Sequence, residues 1–140
     1  MFYQPLLLPL LVQVALTFAV WVLLYVTRLG EMGRKDIDPQ RLTDPSATRA
    51  LLTESAGPAD NFRNLFEMPV LFYLAVVVSL VLLIQDSLLV QLAWAFVVLR
   101  VVHSFIQCTY NRVIHRFIAH AASSLMLALM WVRIGMFVFY

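Results

Sequence analysis

The chain has 140 residues, of which 62% are hydrophobic and 13% charged, with a mean hydropathy of +0.85. Soluble domains run near ~45–50% apolar and ~25% charged, and a chain this short has too little interior to hide so much apolar surface. This excludes a water-soluble globular domain, and 4 Gly and 6 Pro exclude collagen-like and low-complexity classes. The net charge of +2 comes without a basic run and with Lys35 as the lone lysine, which leaves no nucleic-acid partner and points to lipid as the solvent.

A membrane-crossing helix needs ~20 mostly apolar residues. Four stretches qualify, at about 5–28, 62–84, 87–107 and 113–139, within one membrane domain over residues 1–140. The predicted fold is all-α: an integral membrane four-helix bundle with antiparallel, up-down topology. The first stretch reads as a retained helix and not as a signal peptide. No basic residue precedes Arg28, the apolar run is too long for such a leader, and no small-x-small cleavage pattern follows. The polar connection over 29–61 is interrupted by Pro39, Pro45 and Pro58, with a short surface helix expected over Ser46–Ala56 from a Ser cap. Gln85-Asp86-Ser87 and Cys108–Arg112 form tight turns, which make the last three spans antiparallel neighbours. Cys108, the single cysteine, forms no internal disulfide and reads as a small apolar residue near a helix end.

Arg28, Arg34, Lys35, Arg41, Arg49 and Arg63 lie in or beside the first connection, and Arg112 and Arg116 in or beside the third. The positive-inside rule then makes those two connections cytoplasmic and both termini non-cytoplasmic. Arg133 is the exception and is expected to snorkel toward the outer interface. Tyr3, Trp131, Phe137, Phe139 and Tyr140 fit an outer aromatic belt, and Tyr25 and Tyr110 an inner one. Ala119 with Ser123, and Ser124 with Ala128, have the spacing of close helix contacts, within or between protomers.

Ionisable groups at bilayer depth are costly and call for a partner or a function. Asp60, Arg63, Asn64 and Glu67 share one face of the second helix. Arg100, His103, Ser104, Gln107 and Asn111 share one face of the third, Arg116 and His120 are i and i+4 on the fourth, and Gln13, Thr17 and Arg28 form a stripe on the first. Most of these groups fall in one layer ~10–18 Å below the cytoplasmic surface. One reading is an ion-pair network that fixes packing, with Glu67 facing Arg63 or Arg100. The other starts from Arg63, Arg100 and Arg116 outnumbering Glu67 and Asp60; a positive surplus suits an anionic ligand, whether a carboxylate, a thiolate or a lipid phosphate. Pro69 is expected to kink the second helix and free the carbonyl of Leu65. His103 and His120 also admit a haem reading, as two histidines on facing helices, beside the simpler one of packing histidines. No inverted repeat supports a transporter.

The string Arg63-Asn64-Leu65-Phe66-Glu67-Met68-Pro69 at the start of a second span, with Arg100-Val101-Val102-His103 and then Arg116, resembles the MAPEG family, membrane-associated proteins in eicosanoid and glutathione metabolism. The resemblance covers the whole chain in length, span number and loop pattern. It implies a homotrimer of four-helix protomers that holds glutathione as co-substrate between adjacent protomers. By that resemblance Asn64 and Glu67 hold the peptide and amino group of glutathione, Arg63 and Arg100 balance its carboxylates, and Arg28 closes the site from the first helix. Arg116 stands where several members place an arginine facing the sulfur, which implies a glutathione transferase or peroxidase acting on lipophilic electrophiles. The departures are Asp60 at a family arginine position, Gln107 at a tyrosine, and Phe117 and His120 at serine and tyrosine positions. They argue against eicosanoid synthesis and resemble distant bacterial-type members, which implies a bacterial inner membrane. His103 and His120 also count among the candidate binding residues of the cleft, and an alternative, favoured by Asp60 and Gln107, is non-enzymatic binding of an anionic lipid or small acid in that same cleft.

Overall fold

The computed structural model describes residues 5–139, so Tyr3 and Tyr140 of the expected outer belt lie outside it. Helix α1 spans Leu7–Lys35 and ends where Asp36 turns left-handed at φ 51°. It runs past the expected end at 28 because Glu31 and Lys35 pair as i and i+4 neighbours across its last turn. Asp38 then caps a short 3-10 turn, Pro39–Leu42, by accepting from the Gln40 N–H at 2.9 Å.

The short surface helix α2 spans Pro45–Leu51 and not Ser46–Ala56. Asp44 is its cap, accepting from the Ala47 N–H at 3.3 Å and from the Ser46 hydroxyl, and Pro45 sits in the first turn where no N–H is needed. The second span starts early and is broken in two, α3 at Ala56–Asn64 and α4 at Met68–Val81. Pro69 at the start of α4 cannot continue the helical ladder, so the chain turns at Leu65–Glu67. Helix α5 spans Ser87–Cys108, capped by Asp86 through the Leu89 N–H, and α6 spans Val113–Phe139. Asn111 leaves the α5 face assigned to it: it lies in the α5–α6 turn at φ 48°.

The four segments Leu7–Lys35, Ala56–Val81, Ser87–Cys108 and Val113–Phe139 are each long and apolar enough to cross a membrane. Helix α5 packs most extensively on α6, α1 lies against α3 and α5, and α4 lies against α6. Phe72 stacks on Phe96 at 4.6 Å between ring centroids, within a core that includes Ala75, Ala93, Leu127 and Met130. Ala119 and Ser123 are buried inside the protomer, which makes that small-residue pair intramolecular, whereas Ala128 faces outward. The outer faces of α1 and α6 keep exposed Phe18, Val26, Val132 and Phe139, the surface expected to meet lipid.

Two polar fastenings hold the ends. At one end Arg133 reaches the α4–α5 turn. Its Nε donates to Asp86 Oδ2 at 2.8 Å, and its guanidinium lies 5.0 Å from the centre of the Phe137 ring. At the other, Glu31 is fully buried. Its carboxylate accepts from the Glu54 and Ser55 N–H groups and the Ser55 hydroxyl, each at 2.9 Å, and from Lys35. That carboxylate satisfies donors just before α3, which would otherwise lack helical acceptors, and so fixes where α3 begins. Nearby, a Cβ on Gly57 would lie 2.7 Å from the Gln107 carbonyl oxygen, so glycine permits the close approach of α3 to α5.

Candidate functional site

The site is organised by the break in the second span. In the turn there the Phe66 N–H bonds to the Arg63 carbonyl at 3.0 Å, while the Glu67 N–H reaches the Asn64 carbonyl at a long 3.5 Å. That carbonyl accepts a shorter bond from Arg100, whose Nη2 donates at 2.7 Å. Arg100 itself is fully buried on α5, and its Nη1 lies 3.1 Å from His120 Nδ1. A guanidinium only donates, so Nδ1 of His120 accepts and the neutral ring carries its proton on Nε2. The carbonyl used is that of Asn64, one residue before the expected Leu65. The expected pairing of Glu67 with Arg63 or Arg100 is not formed among the described residues. Nη2 of Arg100 is satisfied by a backbone acceptor that the proline break exposes, its buried Nε has no partner among the described residues, and the Glu67 carboxylate stays outside the packed layer.

His103 ties α5 to α6. Its Nδ1 is 3.0 Å from the Arg116 carbonyl, an acceptor, so Nδ1 carries a proton. Its Nε2 lies 3.0 Å from Gln107 Oε1, the same oxygen that accepts from the Asn64 amide N–H at 3.0 Å. With both nitrogens of His103 engaged and His120 bound to Arg100, the two rings, 5.5 Å apart, are committed to packing hydrogen bonds, which argues against the haem reading. Ser104 donates to Asn61 Oδ1 at 3.1 Å, and the Asn61 amide reaches Cys108 Sγ at 3.4 Å. Cys108 is thus a half-buried acceptor.

Above this layer lies a cavity of about 450 Å³. Asp60, Arg63, Asn64 and Glu67 form one wall, His103 and Gln107 the floor, and Arg116, Phe117 and His120 the other wall. Arg116 is aimed by Asn111, whose Oδ1 accepts its Nη1 at 2.7 Å, and Arg63 lies 3.9 Å from Asp60. His120 Nε2 has no partner among the described residues, and its ring lines the cavity with Nδ1 turned to buried Arg100. Tyr110 is not at the cavity; its hydroxyl is 3.1 Å from His115 Nδ1.

Six of the predicted site residues thus meet at one cavity: Arg63, Asn64, Glu67, His103, Arg116 and His120. Arg100 stands behind the wall. Arg28 lines separate cavities with Arg63, on the other side of α3. The positive surplus read from the sequence is therefore not presented to a ligand: the lining carries Asp60 and Glu67 against Arg63 and Arg116. Glu31, Asn61 and Gly57 were not anticipated. The glycine inside a helical segment beside Pro58 was the one available signal.

A four-span helical bundle, broken at a proline and holding a polar cavity at one end, defines an integral multi-pass membrane protein. The profile of the MAPEG family matches residues 6–136, nearly the whole chain, and the chain belongs to that family. No curated protein and no solved structure matches it.

Proposed function

We propose that the cavity binds glutathione and that the protein is a glutathione-dependent transferase or peroxidase acting on lipophilic electrophiles. The observation that carries this reading is the balanced lining, with two carboxylates and two guanidinium groups around one space. Glutathione has an ammonium group and two carboxylates. Asp60 and Glu67 suit the ammonium, and Arg63 and Arg116 suit the carboxylates and the sulfur. A purely anionic ligand is matched less well, because Arg100 faces inward.

A thiol with pKa ~8.5 is mostly protonated at neutral pH, and a nearby guanidinium favours the thiolate. Arg116 acts as that electrostatic group and not as a proton-transfer base. The thiol proton leaves to solvent, and the sulfur forms a bond to the electrophilic atom of a substrate that arrives through the lipid, while that atom's bond to its leaving group breaks and the electron pair departs with the leaving group. The neutral His120 offers its Nε2 proton to the developing charge. In this reading the protein works as a homotrimer in a bacterial inner membrane, with the first and third connections cytoplasmic and both termini outside.

Calorimetric titration of the detergent-solubilised protein with glutathione tests the reading. Saturable binding that weakens in Arg116→Ala and Glu67→Ala is expected. Absence of saturable binding to the folded protein overturns it.

A further inference from the structure

Arg116 is held at both ends by the chain that precedes it. Its main-chain carbonyl accepts from His103 Nδ1 on α5 at 3.0 Å, and its Nη1 donates to Asn111 Oδ1 at 2.7 Å. Asn111 lies in the α5–α6 turn, where its own N–H bonds the Ile106 carbonyl at 2.8 Å and closes the end of α5. Its backbone is left-handed, at φ 48°, a conformation that glycine and asparagine tolerate best. Main chain and side chain therefore have separate tasks: the one ends α5, the other meets a residue of α6. Asn111 does not line the cavity, whereas Arg116 does.

The charge on the acceptor decides what a guanidinium has left for a ligand. Arg34, Arg63 and Arg133 each face a carboxylate, on Glu54, Asp60 and Asp86. Arg116 faces an amide oxygen, and among the described residues no carboxylate lies within ion-pair distance of it. An amide oxygen fixes one N–H of the fork and leaves the full positive charge in place. We infer that Asn111 is a positioning residue for the glutathione thiolate: it holds Arg116 toward the cavity through a neutral acceptor and so keeps that charge whole for the sulfur. The inference rests on the glutathione reading and extends it to a residue outside the cavity. The other charged and titratable groups facing the space are Asp60, Arg63 and Glu67 from the broken second span, His103 from α5 and His120 from α6. Arg112 and His115 flank Arg116 in sequence, and His115 is engaged by Tyr110 at 3.1 Å. None of them bonds the Asn111 side chain among the described residues, so a change at residue 111 reaches the sulfur through Arg116.

The ionisation of bound glutathione is read by its ultraviolet thiolate absorbance as pH is varied, in the detergent-solubilised full chain at saturating glutathione. Asn111→Gly suits the left-handed backbone and removes the acceptor alone. It is expected to lower the thiolate fraction at neutral pH about threefold, a rise of ~0.5 in the thiol pKa, at an unchanged unfolding midpoint. Asn111→Asp keeps an acceptor oxygen and tolerates the same backbone, but its carboxylate takes up part of the guanidinium charge. It is expected to raise the thiol pKa as well, which a hydrogen bond of purely structural purpose would not do. In an Arg116→Ala background neither substitution is expected to change the thiol pKa further. A lowered thiol pKa that is the same in the unsubstituted, Asn111→Gly and Asn111→Asp proteins overturns this inference and leaves the glutathione reading standing. So does an Asn111→Asp protein that ionises the thiol like the unsubstituted one, or a shift of full size in the Arg116→Ala background. Bound glutathione that keeps the ~8.5 of a free thiol also overturns the inference alone, whereas absence of saturable glutathione binding overturns both.

Discussion

The buried guanidinium of Arg100 donates to the main-chain carbonyl of Asn64 at 2.7 Å. The pairing joins two features that look separate in the chain, a charged residue deep in the third span and a proline early in the second. Pro69 ends one helical ladder and starts another, and Arg100 supplies a donor that the missing turn cannot. It also sets the tautomer of His120 on α6. One side chain on α5 therefore fixes the wall of the cavity contributed by α3 and the ring contributed by α6.

Arg100→Lys tests this arrangement without removing the charge. A single ammonium on a shorter reach cannot serve the carbonyl and the imidazole together. One acceptor is left unpaired in the interior, at a cost of about 1–3 kcal/mol. The expected result is a lower thermal unfolding midpoint in detergent, with His120→Gln far milder than His120→Ala because a glutamine oxygen still accepts from Arg100.

Glu31 plays the corresponding part for the polar connection. Replacing it by alanine leaves the Glu54 and Ser55 N–H groups without their acceptor, while Lys35 keeps the Leu51 carbonyl and the Thr53 hydroxyl. Each orphaned donor costs about 1–3 kcal/mol, and the segment before α3 is released from α1. Trypsin is then expected to cut after Arg41 and Arg49 faster than in the unsubstituted protein. An unchanged digestion rate would show that the segment is held by other contacts.

Hydropathy alone carried the four spans, and helical period carried the clustering of Asn64, Glu67, His103, Arg116 and His120, because both are local properties of the chain. The departures share a different cause. A glutamate in a polar segment reads as solvated, and the burial of Glu31 depends on a loop that returns to it more than twenty residues later. The partner of Arg100 is a main-chain atom, and main-chain acceptors leave no mark in the sequence. Arg28 carries the same stripe of polar residues as Gln13, yet the packing rotation of α1 turns it to the far side of α3, away from the cavity. Charge counting assigned three arginines to one ligand, whereas one is turned inward and another is paired loosely with Asp60.

The pair at the opposite end makes stability depend on acid. The hydrogen bond from Arg133, reinforced by its charge, holds the Asp86 carboxyl below the usual aspartate range against the opposing effect of burial. A carboxyl lowered in the folded state contributes stability that is fully present above the unfolded value of about 3.9 and is lost as pH falls from there through the folded value. Unfolding midpoints measured from neutral pH downward should show this loss. Asp86→Asn should flatten it, since asparagine still caps α5 but does not titrate.

Gly57 and Gly135 are a matched pair of helical glycines with opposite surroundings. A methyl group on Gly57 would lie 2.7 Å from the Gln107 carbonyl oxygen, a main-chain atom that cannot swing aside, while one on Gly135 meets nothing within 4 Å. Alanine in a helix is favoured over glycine by ~0.8–1 kcal/mol, so Gly135→Ala should raise the unfolding midpoint. At residue 57 that gain is opposed by overpacking, which costs about 1–3 kcal/mol, and the clash pushes α3 off α5. The Asn64–Gln107 and Ser104–Asn61 contacts, at 3.0 and 3.1 Å, span that same interface and would lengthen together. Gly57→Ala is therefore expected to lower the midpoint and weaken glutathione binding at once, whereas Gly135→Ala leaves binding unchanged. A Gly57→Ala protein as stable as the Gly135→Ala protein would mean that α3 can withdraw freely and that the floor of the cavity is not set by this contact.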